Sequence, residues 1–186
     1  RGLGDVYKRQ VLSCFQHGFR SRHSCDTQLL LTTHDLQSLY DKKLQTDIAI
    51  LDFSKAFDVV PHQRLLNKME NYGIKGPVRR WISNFLEARQ QCVLVDGSFS
   101  ETATVDSGVP QGTVLGPLLF LIFINDLPEN IIHGTRVRLF ADDCLVYRPI
   151  KSIHDQILLQ QDIDRLIQWS KSCLLYTSDA ADEHNC

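Results

Sequence analysis

Two adjacent carboxylates, Asp142 and Asp143, interrupt an apolar stretch that reads Val-Arg-Leu-Phe-Ala-Asp-Asp-Cys-Leu-Val-Tyr. Two negative charges held close together disfavour the ionisation of both unless a cation compensates them. A conflict of this kind between neighbouring residues is typical of functional sites. Taken alone, however, the pair fits a solvated Asp-Asp turn better than a site, so its interpretation depends on a second observation.

A third carboxylate, Asp52, ends a segment that alternates like a β-strand from Asp47 to Asp52. The alternation predicts that Asp52 faces the same side as Ile48 and Ile50. On a buried strand its carboxylate would therefore need a partner. An N-cap of the segment that begins at Phe53 is the alternative. If the strand end meets the acidic pair, the three carboxylates offer the hard oxygen ligands that suit Mg²⁺.

Divalent ions held by such carboxylates promote in-line displacement at phosphorus. One ion activates an attacking 3′-hydroxyl, and the other steadies the leaving pyrophosphate. The sequence offers no competing chemistry, because it contains no G-x-S-x-G, H-E-x-x-H or Walker motif. The seven histidines show no metal-ligand spacing and are expected to be surface or satisfied core residues.

The segment Ser107–Gly112 (Ser-Gly-Val-Pro-Gln-Gly) lies between a predicted strand and an apolar helix. Its glycines permit close approach of the backbone, and Pro110 stiffens the bend. A plain connecting loop could have the same composition. Gln111 favours a functional interpretation, because a bidentate amide on a tight loop is suited to contact a nucleotide or a template base.

Helical spacing and capping signals predict the elements that position these residues. The predicted helices run from a cap at Ser24 or Asp26 to about Tyr40, from Pro61 to Gly73, from Pro77 onward, from Gly116-Pro117 to before Pro128, and from a capping box at Ser152 and Asp155 to about Ser170. The faces expected to be apolar are Leu29, Thr33, Leu36 and Tyr40 on the first helix, and Val78, Trp81, Ile82, Phe85 and Leu86 on the third.

Two hairpins are predicted beside these helices. Asp96-Gly97 is a strong turn signal between the arms Gln91–Val95 and Ser98–Val105, and the acidic pair lies between the strands Arg136–Phe140 and Cys144–Arg148. Hairpins mixed with helices, without a series of parallel βαβ units, indicate an α+β domain.

Composition sets wide bounds on function. With 186 residues, 43% of them hydrophobic, the chain can bury one sizeable core. A formal charge of −2 argues against a protein that coats nucleic acid, although an acidic metal site could offset basic patches elsewhere. The six cysteines form no C-x-x-C pair and, without a secretory signal, are expected to be reduced thiols. The apolar run Leu118–Ile124 is too short to cross a bilayer.

The two ends are predicted to be artefacts of sequencing. Asp5–Gln10 (DVYKRQ) and Cys173–Ser178 (CLLYTS) can be encoded by DNA segments that are reverse complements, and the shared segment resembles a transposase-type library adaptor. Ordinary polar termini are the alternative. The expected domain organisation is therefore an adaptor-derived segment at 1–10, a partial polymerase domain at 11–172, and a second adaptor-derived segment at 173–186.

Four motifs in order resemble those of reverse transcriptases. They are Gln16-His-Gly-Phe-Arg20, Asp52-Phe-Ser-Lys-Ala-Phe-Asp58, Ser107-Gly-Val-Pro-Gln-Gly112 and Phe140-Ala-Asp-Asp143. The stretches Val114-Leu-Gly-Pro-Leu-Leu-Phe and Ile124-Asn-Asp-Leu-Pro128 resemble the non-LTR retrotransposon branch (LINE, jockey-like). The resemblance implies an RNA-directed DNA polymerase whose palm has an antiparallel sheet packed by helices. It also implies that part of the fingers is present and that the thumb is missing.

The same resemblance implies roles for individual residues. Asp52, Asp142 and Asp143 would be the catalytic, metal-binding carboxylates, serving two Mg²⁺ ions, with Mn²⁺ as a possible substitute. The residues implied in nucleotide binding are Phe53, through its carbonyl, Phe57, as a steric gate under the sugar, and Gln111. Those implied near template or primer are Gly112, Ala141 and Arg20. Lys55 and Asp58 match the motif without a defined role, and Asp58 could be structural.

The partners implied are an RNA template, a DNA primer and dNTPs, with no membrane, in an intracellular ribonucleoprotein of the cytoplasm and nucleus. A fragment without the first finger motifs and the thumb is expected to be inactive alone. A group II intron-type enzyme is an alternative that Ile124–Pro128 argues against. A non-catalytic nucleic-acid-binding relic is a second alternative, which the survival of all three carboxylates disfavours.

One basic and aromatic cluster, Arg79-Arg80-Trp81, stands outside these motifs. Trp81 fits the apolar helical face, so it is predicted to be a core residue rather than a platform for base stacking. The two arginines could follow a phosphate backbone, but a solvated helix face is the simpler interpretation.

Overall fold

The computed structural model describes residues 11–173 and 175. They divide into two compact units: the sheet unit, made of the described residues up to Ala56 and from Ile124 onward, and the insert unit, Phe57–Phe123. The helices are α1 (Cys25–Asp41), α2 (His62–Asn71), α3 (Gly76–Leu86), α4 (Leu115–Ile124) and α5 (Ile153–Cys173). The strands are β1 (Gln45–Leu51), β2 (Gln90–Gln91), β3 (Leu94–Val95), β4 (Ser98–Phe99), β5 (Ala103–Thr104), β6 (Arg136–Phe140) and β7 (Asp143–Ile150).

The sheet unit is built on three antiparallel strands in the order β1-β7-β6. The predicted hairpin around the acidic pair is therefore confirmed, and so is the α+β class. Leu51 of β1 pairs with Cys144 of β7, and Phe140 of β6 pairs with Asp143 of β7. Residues paired in antiparallel strands point to the same face, so this register defines two faces of the sheet.

One face of the sheet is apolar and buried. Val137, Leu139, Cys144 and Val146 are at most 3% exposed on this face, and α5 packs against β7. The buried residues of α5 include Leu159, Leu166 and Trp169. Burial of this face supplies the main hydrophobic stabilisation of the sheet unit.

The opposite face carries Arg136 and Arg138 beside apolar side chains, and here two predictions were wrong. Ile48 and Ile50 belong to this face and are exposed, Ile50 by 76%, so Asp52 does not follow a strand buried on that side. On α1 the buried positions are Gln28, Thr32 and Leu39 instead of the predicted apolar face, and Tyr40 is 77% exposed.

The buried positions are offset by one residue from the predicted ones, and the physical reason is a charge cluster on the sheet. α1 turns Asp35 toward the sheet. There its carboxylate forms ion pairs with Arg136 and Arg138 and accepts a hydrogen bond from the Tyr147 hydroxyl. An ionic contact of this kind fixes the rotation of the helix, because an unpaired arginine beneath it would be costly. The predicted N-cap at Ser24 is confirmed: its side chain and that of Thr27 form a reciprocal capping box.

The insert unit contains α2, α3, most of α4 and two small antiparallel ladders. Pro61 precedes α2, which buries Leu65, Leu66 and Met69. On α3 only Ile82 and Leu86 are buried. Trp81 is 57% exposed, so its predicted place in the core was wrong. The Asp96-Gly97 hairpin is confirmed as the β3–β4 pair, with β2 and β5 pairing farther along the same arms.

The apolar helix α4 is buried from Leu119 to its end at Ile124, and a 3₁₀ helix, Leu127–Asn130, follows it. Within the described part of the chain, no helix has the length and apolar character needed to cross a bilayer. The predicted adaptor-derived ends lie outside the described residues, apart from Cys173, which ends α5, and Leu175, which is buried.

Candidate active site at one end of the sheet

The acidic turn lies at the end of the sheet where β6 meets β7. Phe140 and Asp143 form the last pair of the hairpin, so Ala141 and Asp142 are its two turn residues. Ala141 has a φ of 55°, a left-handed conformation that a non-glycine residue adopts at a cost of about 1–2 kcal/mol. The turn is therefore held by contacts from elsewhere in the chain.

Those contacts come from Gln16, a residue that the sequence analysis quoted within a motif but did not assign to the site. Its Nε2 donates to the carbonyl oxygen of Ala141 at 3.0 Å, and its Oε1 accepts from the amide of Ala141 at 2.8 Å. The side chain is 2% exposed. In the sequence Gln16 stands two residues before a glycine and four before an arginine, but sequence alone does not reveal its partner.

Asp52 follows β1 directly and meets the same end of the sheet. Because Leu51 pairs with Cys144, continuation of the antiparallel register brings Asp52 level with Asp143. Both side chains are exposed, whereas Asp142 is half-buried. The structure thus brings together the three carboxylates that the sequence predicted to meet.

Electrostatic coupling between these groups is evident at Asp142. Burial raises the pKa of its carboxyl group above the ordinary value, and the negative charges of Asp143 and Asp52 raise it further, against an opposing hydrogen bond from the backbone. Cys144 is the next buried group, and burial raises the pKa of its thiol to about 12. It therefore stays neutral and does not compete as a thiolate ligand.

The donor types fit a divalent cation, although the described residues hold no group of three or more His, Cys, Asp or Glu side chains arranged as a ready metal cage. Mg²⁺ is usually bound through one or two carboxylates, with substrate phosphates and waters completing its coordination. An open cluster in which burial and the charges of Asp143 and Asp52 raise the pKa of Asp142 fits that mode of binding. The assignment of Asp52, Asp142 and Asp143 as metal ligands remains a prediction.

Phe53 lies in the turn after β1 with its side chain buried. Its ring lies 6.4 Å from that of Trp169, centroid to centroid. Its carbonyl oxygen accepts a hydrogen bond from the amide of Ala56 at 3.2 Å. A carbonyl has two lone pairs, so this bond leaves one acceptor position for the predicted metal contact.

The predicted nucleotide-binding residues Phe57 and Gln111 belong to the insert unit. The Phe57 ring stacks on that of Phe120 at a centroid distance of 4.2 Å. Gln111 is exposed, and its Nε2 donates to Asp58 Oδ1 at 3.0 Å. Gly112 is exposed with a φ of 74°, and a Cβ built on it would meet no atom of the described residues within 4 Å.

Asp58 holds the loop Ser107–Gly112 through hydrogen bonds to its backbone carbonyl and its side chain. Its carbonyl oxygen accepts from the Ser107 hydroxyl at 2.9 Å, and a Cβ added to Gly108 would lie 2.6 Å from the same oxygen. Glycine is therefore required at position 108 for the loop to approach the backbone of Asp58. Asp58, left without a defined role by the sequence, holds both the backbone of this loop and the side chain of Gln111.

Other predicted residues have simpler surroundings. The guanidinium of Arg20, expected near template or primer, donates to the carbonyl oxygens of Ser13 and Gln16. Arg79 pairs with Glu70 at 3.4 Å, and Trp81 lies beside Phe85. Lys55 is exposed in the turn after β1.

The three carboxylates thus lie near one end of an antiparallel sheet that is packed by helices. A family model described as reverse transcriptase (RNA-dependent DNA polymerase) matches residues 2–180. The chain belongs to this family, whose members generally use divalent metal ions. The prediction of a reverse transcriptase is confirmed.

Curated relatives point to the predicted branch. The chain is 34% identical over 182 residues to the probable RNA-directed DNA polymerase from transposon BS of Drosophila melanogaster, covering 93% of this chain and 20% of that protein. It is 32% identical over 163 residues to the RNA-directed DNA polymerase from mobile element jockey of Drosophila funebris, covering 84% and 18%. The chain thus spans about a fifth of the length of these relatives.

Among solved structures, the fold is similar to that of an apo telomerase from Candida tropicalis truncated from its C-terminal domain. The TM-score is 0.59 at 12% sequence identity, and the match covers 96% of this chain and 38% of the telomerase chain. At this identity the similarity concerns the fold alone.

Proposed function

We propose that this chain is the catalytic part of an RNA-directed DNA polymerase of a non-LTR, jockey-like retrotransposon. The parent enzyme would extend a DNA primer on an RNA template with dNTPs. The observation that carries the proposal is that Asp52, directly after β1, lies close enough to the Asp142–Asp143 turn for its charge to raise the pKa of Asp142, at one end of an antiparallel sheet. Membership of the reverse transcriptase family gives that geometry its chemistry.

In the proposed mechanism Asp52, Asp142 and Asp143 would hold two Mg²⁺ ions, for which Mn²⁺ could substitute. The ions, when bound, would activate the primer 3′-hydroxyl and neutralise charge on the leaving pyrophosphate. We expect Asp142 to contribute strongly to the affinity for the ions, because burial raises the pKa of its carboxyl group and the negative charges of Asp143 and Asp52 raise it further. The free carbonyl lone pair of Phe53 would add a neutral oxygen ligand.

We propose that Phe57 and Gln111 contact the incoming nucleotide. Stacking on Phe120 limits the motion of the Phe57 ring, as a gate against a 2′-hydroxyl requires. The bond to Asp58 orients the Gln111 amide before substrate arrives. Ala141 and Gly112 would lie near primer and template, and Arg20 would support this region through the carbonyls that it binds.

The sheet unit corresponds, in this proposal, to the palm, with part of the fingers also present in the chain. The 186-residue polypeptide would not extend a primer by itself, because it spans only about a fifth of the relatives' length. The parent would act in an intracellular ribonucleoprotein of the cytoplasm and nucleus. This placement rests on the family alone.

The metal site can be tested on the chain itself by titration with Mn²⁺, followed by paramagnetic broadening of backbone amide resonances. We expect the resonances at positions 52, 142 and 143 to broaden first. Asp142→Asn should weaken this binding, whereas Asp96→Asn, the same change in the other hairpin turn, should not. Broadening centred elsewhere, or unchanged by Asp142→Asn, would exclude the proposed site.

The activity is tested in the parent polymerase by primer extension on an RNA template with Mg²⁺. Loss of an outer partner of a metal ligand already costs about 10–100-fold, so Asp142→Asn should reduce extension by more than about 100-fold. Asp96→Asn should leave it unchanged. Equal activity of both variants would overturn the catalytic role, and RNA binding without extension in wild type would favour a non-catalytic relic.

A further inference from the structure

We propose that Gln16 is a positioning residue for the acidic turn, and that Asn125 anchors the segment that carries it. In this inference the segment Val11–Arg20 acts as a clamp on the backbone of Ala141. The clamp sets the direction in which the neighbouring Asp142 carboxylate points. The inference rests on the proposed function, because the positioned group is the proposed metal ligand.

The carboxamide of Gln16 makes three hydrogen bonds and uses both of its ends. Its Nε2 donates to the Ala141 carbonyl oxygen, and its Oε1 accepts from the amides of Ala141 and Gly18, both at 2.8 Å. The Gln16 side chain thus binds both the carbonyl oxygen and the amide of Ala141, as a paired residue of a neighbouring strand would. Two bonds to the same residue restrict its φ and ψ together.

Gly18 completes the clamp by having no side chain. A Cβ added at this position would lie 2.2 Å from the Ala141 amide nitrogen and 2.9 Å from its Cα. No neighbour could yield, because both atoms belong to the backbone. Ala141, whose φ is 55°, is therefore bonded by Gln16 at its polar backbone groups and approached by Gly18 too closely for a side chain at position 18.

The clamp is itself fixed to the edge of the sheet. Gln16 bridges Leu139 in parallel fashion, with the His17 amide donating to the Leu139 carbonyl at 2.8 Å and the Leu139 amide donating to Phe15 at 3.0 Å. The segment thus extends the sheet beyond β6 by one short pairing. Arg20 closes the loop by donating to the carbonyls of Ser13 and Gln16.

Asn125, immediately after α4, anchors the start of the clamp. Its Oδ1 accepts from the Ser13 amide, and its Nδ2 donates to the Val11 carbonyl, both at 2.7 Å. The residue is 8% exposed. Asn125 and Gln16 therefore bind the backbone in the same two-ended way, at opposite ends of one short segment. A rigid outer support of this kind fixes the orientation of metal ligands.

Amide hydrogen exchange in the full chain tests the clamp without any metal. Gln16→Ala should remove the protection of the Ala141 amide and accelerate its exchange by at least tenfold. Gln16→Glu keeps the acceptor oxygen and should retain part of the protection. Gln28→Ala, the truncation of another buried glutamine in the sheet unit, should leave Ala141 protected. Unchanged exchange at Ala141 in Gln16→Ala would overturn the proposal.

The positioning role is tested by the apparent Mn²⁺ affinity at the acidic turn, measured on the same variants. Gln16→Ala should weaken it by about 10–100-fold, and Gln28→Ala by less than twofold, even where both lower the thermal midpoint equally. Affinity retained in Gln16→Ala despite lost protection would overturn positioning. If the wild-type chain binds no Mn²⁺ at the acidic turn, both the proposed function and the positioning role are excluded. The exchange result still tests whether Gln16 holds the backbone of Ala141.

Discussion

Two carboxylates of the sheet unit, Asp35 and Asp142, have opposite electrostatic surroundings. Asp35 accepts from Arg136 at 2.8 Å and from Arg138 at 2.7 Å, and the Tyr147 hydroxyl donates to it as well. Burial works to raise its pKa, but the bonds from Tyr147 and Arg138 and the charge of Arg136 outweigh burial and hold the pKa below the ordinary value. At Asp142, burial and two like charges act in the same direction and raise it.

The contrast separates a structural carboxylate from a candidate catalytic one. Asp35 is surrounded by donors within the protein, so its charge is already compensated and it holds α1 on the sheet. At Asp142 a backbone hydrogen bond compensates only in part for burial and the charges of Asp143 and Asp52, so the group gains by binding a cation. Carboxylates with a shifted pKa occur in structural and in catalytic roles. The direction of the pKa shift, together with the identity of the neighbouring groups, distinguishes the two roles.

The largest effect is expected from Asp35→Asn. It removes the charge that compensates Arg136 and Arg138 and should lower the free energy of unfolding by about 2 kcal/mol, as the loss of hydrogen bonds to charged groups typically does. Urea unfolding measures the change. Asp41→Asn, on the exposed end of the same helix, should stay within about 0.5 kcal/mol of wild type. Equal effects of the two substitutions would contradict the compensating role of Asp35.

The pH dependence of this effect has a defined sign. The pKa of Asp35 is lower in the folded state than its ordinary value of 3.8, so the unfolded chain binds the proton more tightly. The stabilisation is complete above pH 3.8 and is lost as the pH falls through the lowered pKa. Urea unfolding of wild type and Asp35→Asn between pH 7 and pH 3 should therefore show two curves that converge only at the acidic end. Curves that converge between pH 7 and pH 5 would refute this linkage.

Asp142→Asn should act in the opposite direction and more weakly. Its raised pKa means that the ionised group destabilises the fold at neutral pH, a cost that disappears as the pH falls through the folded pKa toward 3.8. Because the group is only half-buried and screened by solvent, the gain at pH 7 should be a few tenths of a kcal/mol. Urea unfolding without divalent ions measures it.

Addition of millimolar Mg²⁺ sharpens this prediction. A ligand that binds only the folded state stabilises it in proportion to the logarithm of its concentration above Kd. Wild type should therefore become the more stable protein in Mg²⁺, reversing the order seen without the ion. Asp35→Asn provides the control, since its deficit should not change sign. A persistent advantage of Asp142→Asn in Mg²⁺ would contradict cation binding at the turn.

The two hairpin turns show which conformations could be predicted from sequence. Asp96 and Gly97 both have positive φ, 49° and 81°, as a turn of this composition favours locally. The turn at Ala141 and Asp142 has positive φ only at Ala141, a residue with no intrinsic preference for it. Its conformation is imposed by Gln16, 125 positions away in the chain, and no local rule could have found that contact.

The same distinction applies to the wider fold. The α+β class, the helix starts at Ser24 and Pro61 and the convergence of the carboxylates followed from local patterns and ordered motifs. The inward face of α1 did not, because helical spacing favours the most apolar stripe, whereas Asp35 meets two arginines of the sheet. Pairing of charges across elements overrides apolar periodicity, and only tertiary structure reveals it.

The smallest effect is expected from Ala141→Gly, with Ala88→Gly as the matched control, since Ala88 has a similar φ of 53°. Glycine relieves about 1 kcal/mol of left-handed strain and adds a similar entropy to the unfolded chain, so both variants should remain within about 0.5 kcal/mol of wild type. At Ala141 the Gln16 clamp should keep the turn in place, and the apparent Mn²⁺ affinity should fall by less than about threefold. A much larger loss of affinity would mean that the alanine itself, rather than its clamp, directs the acidic turn.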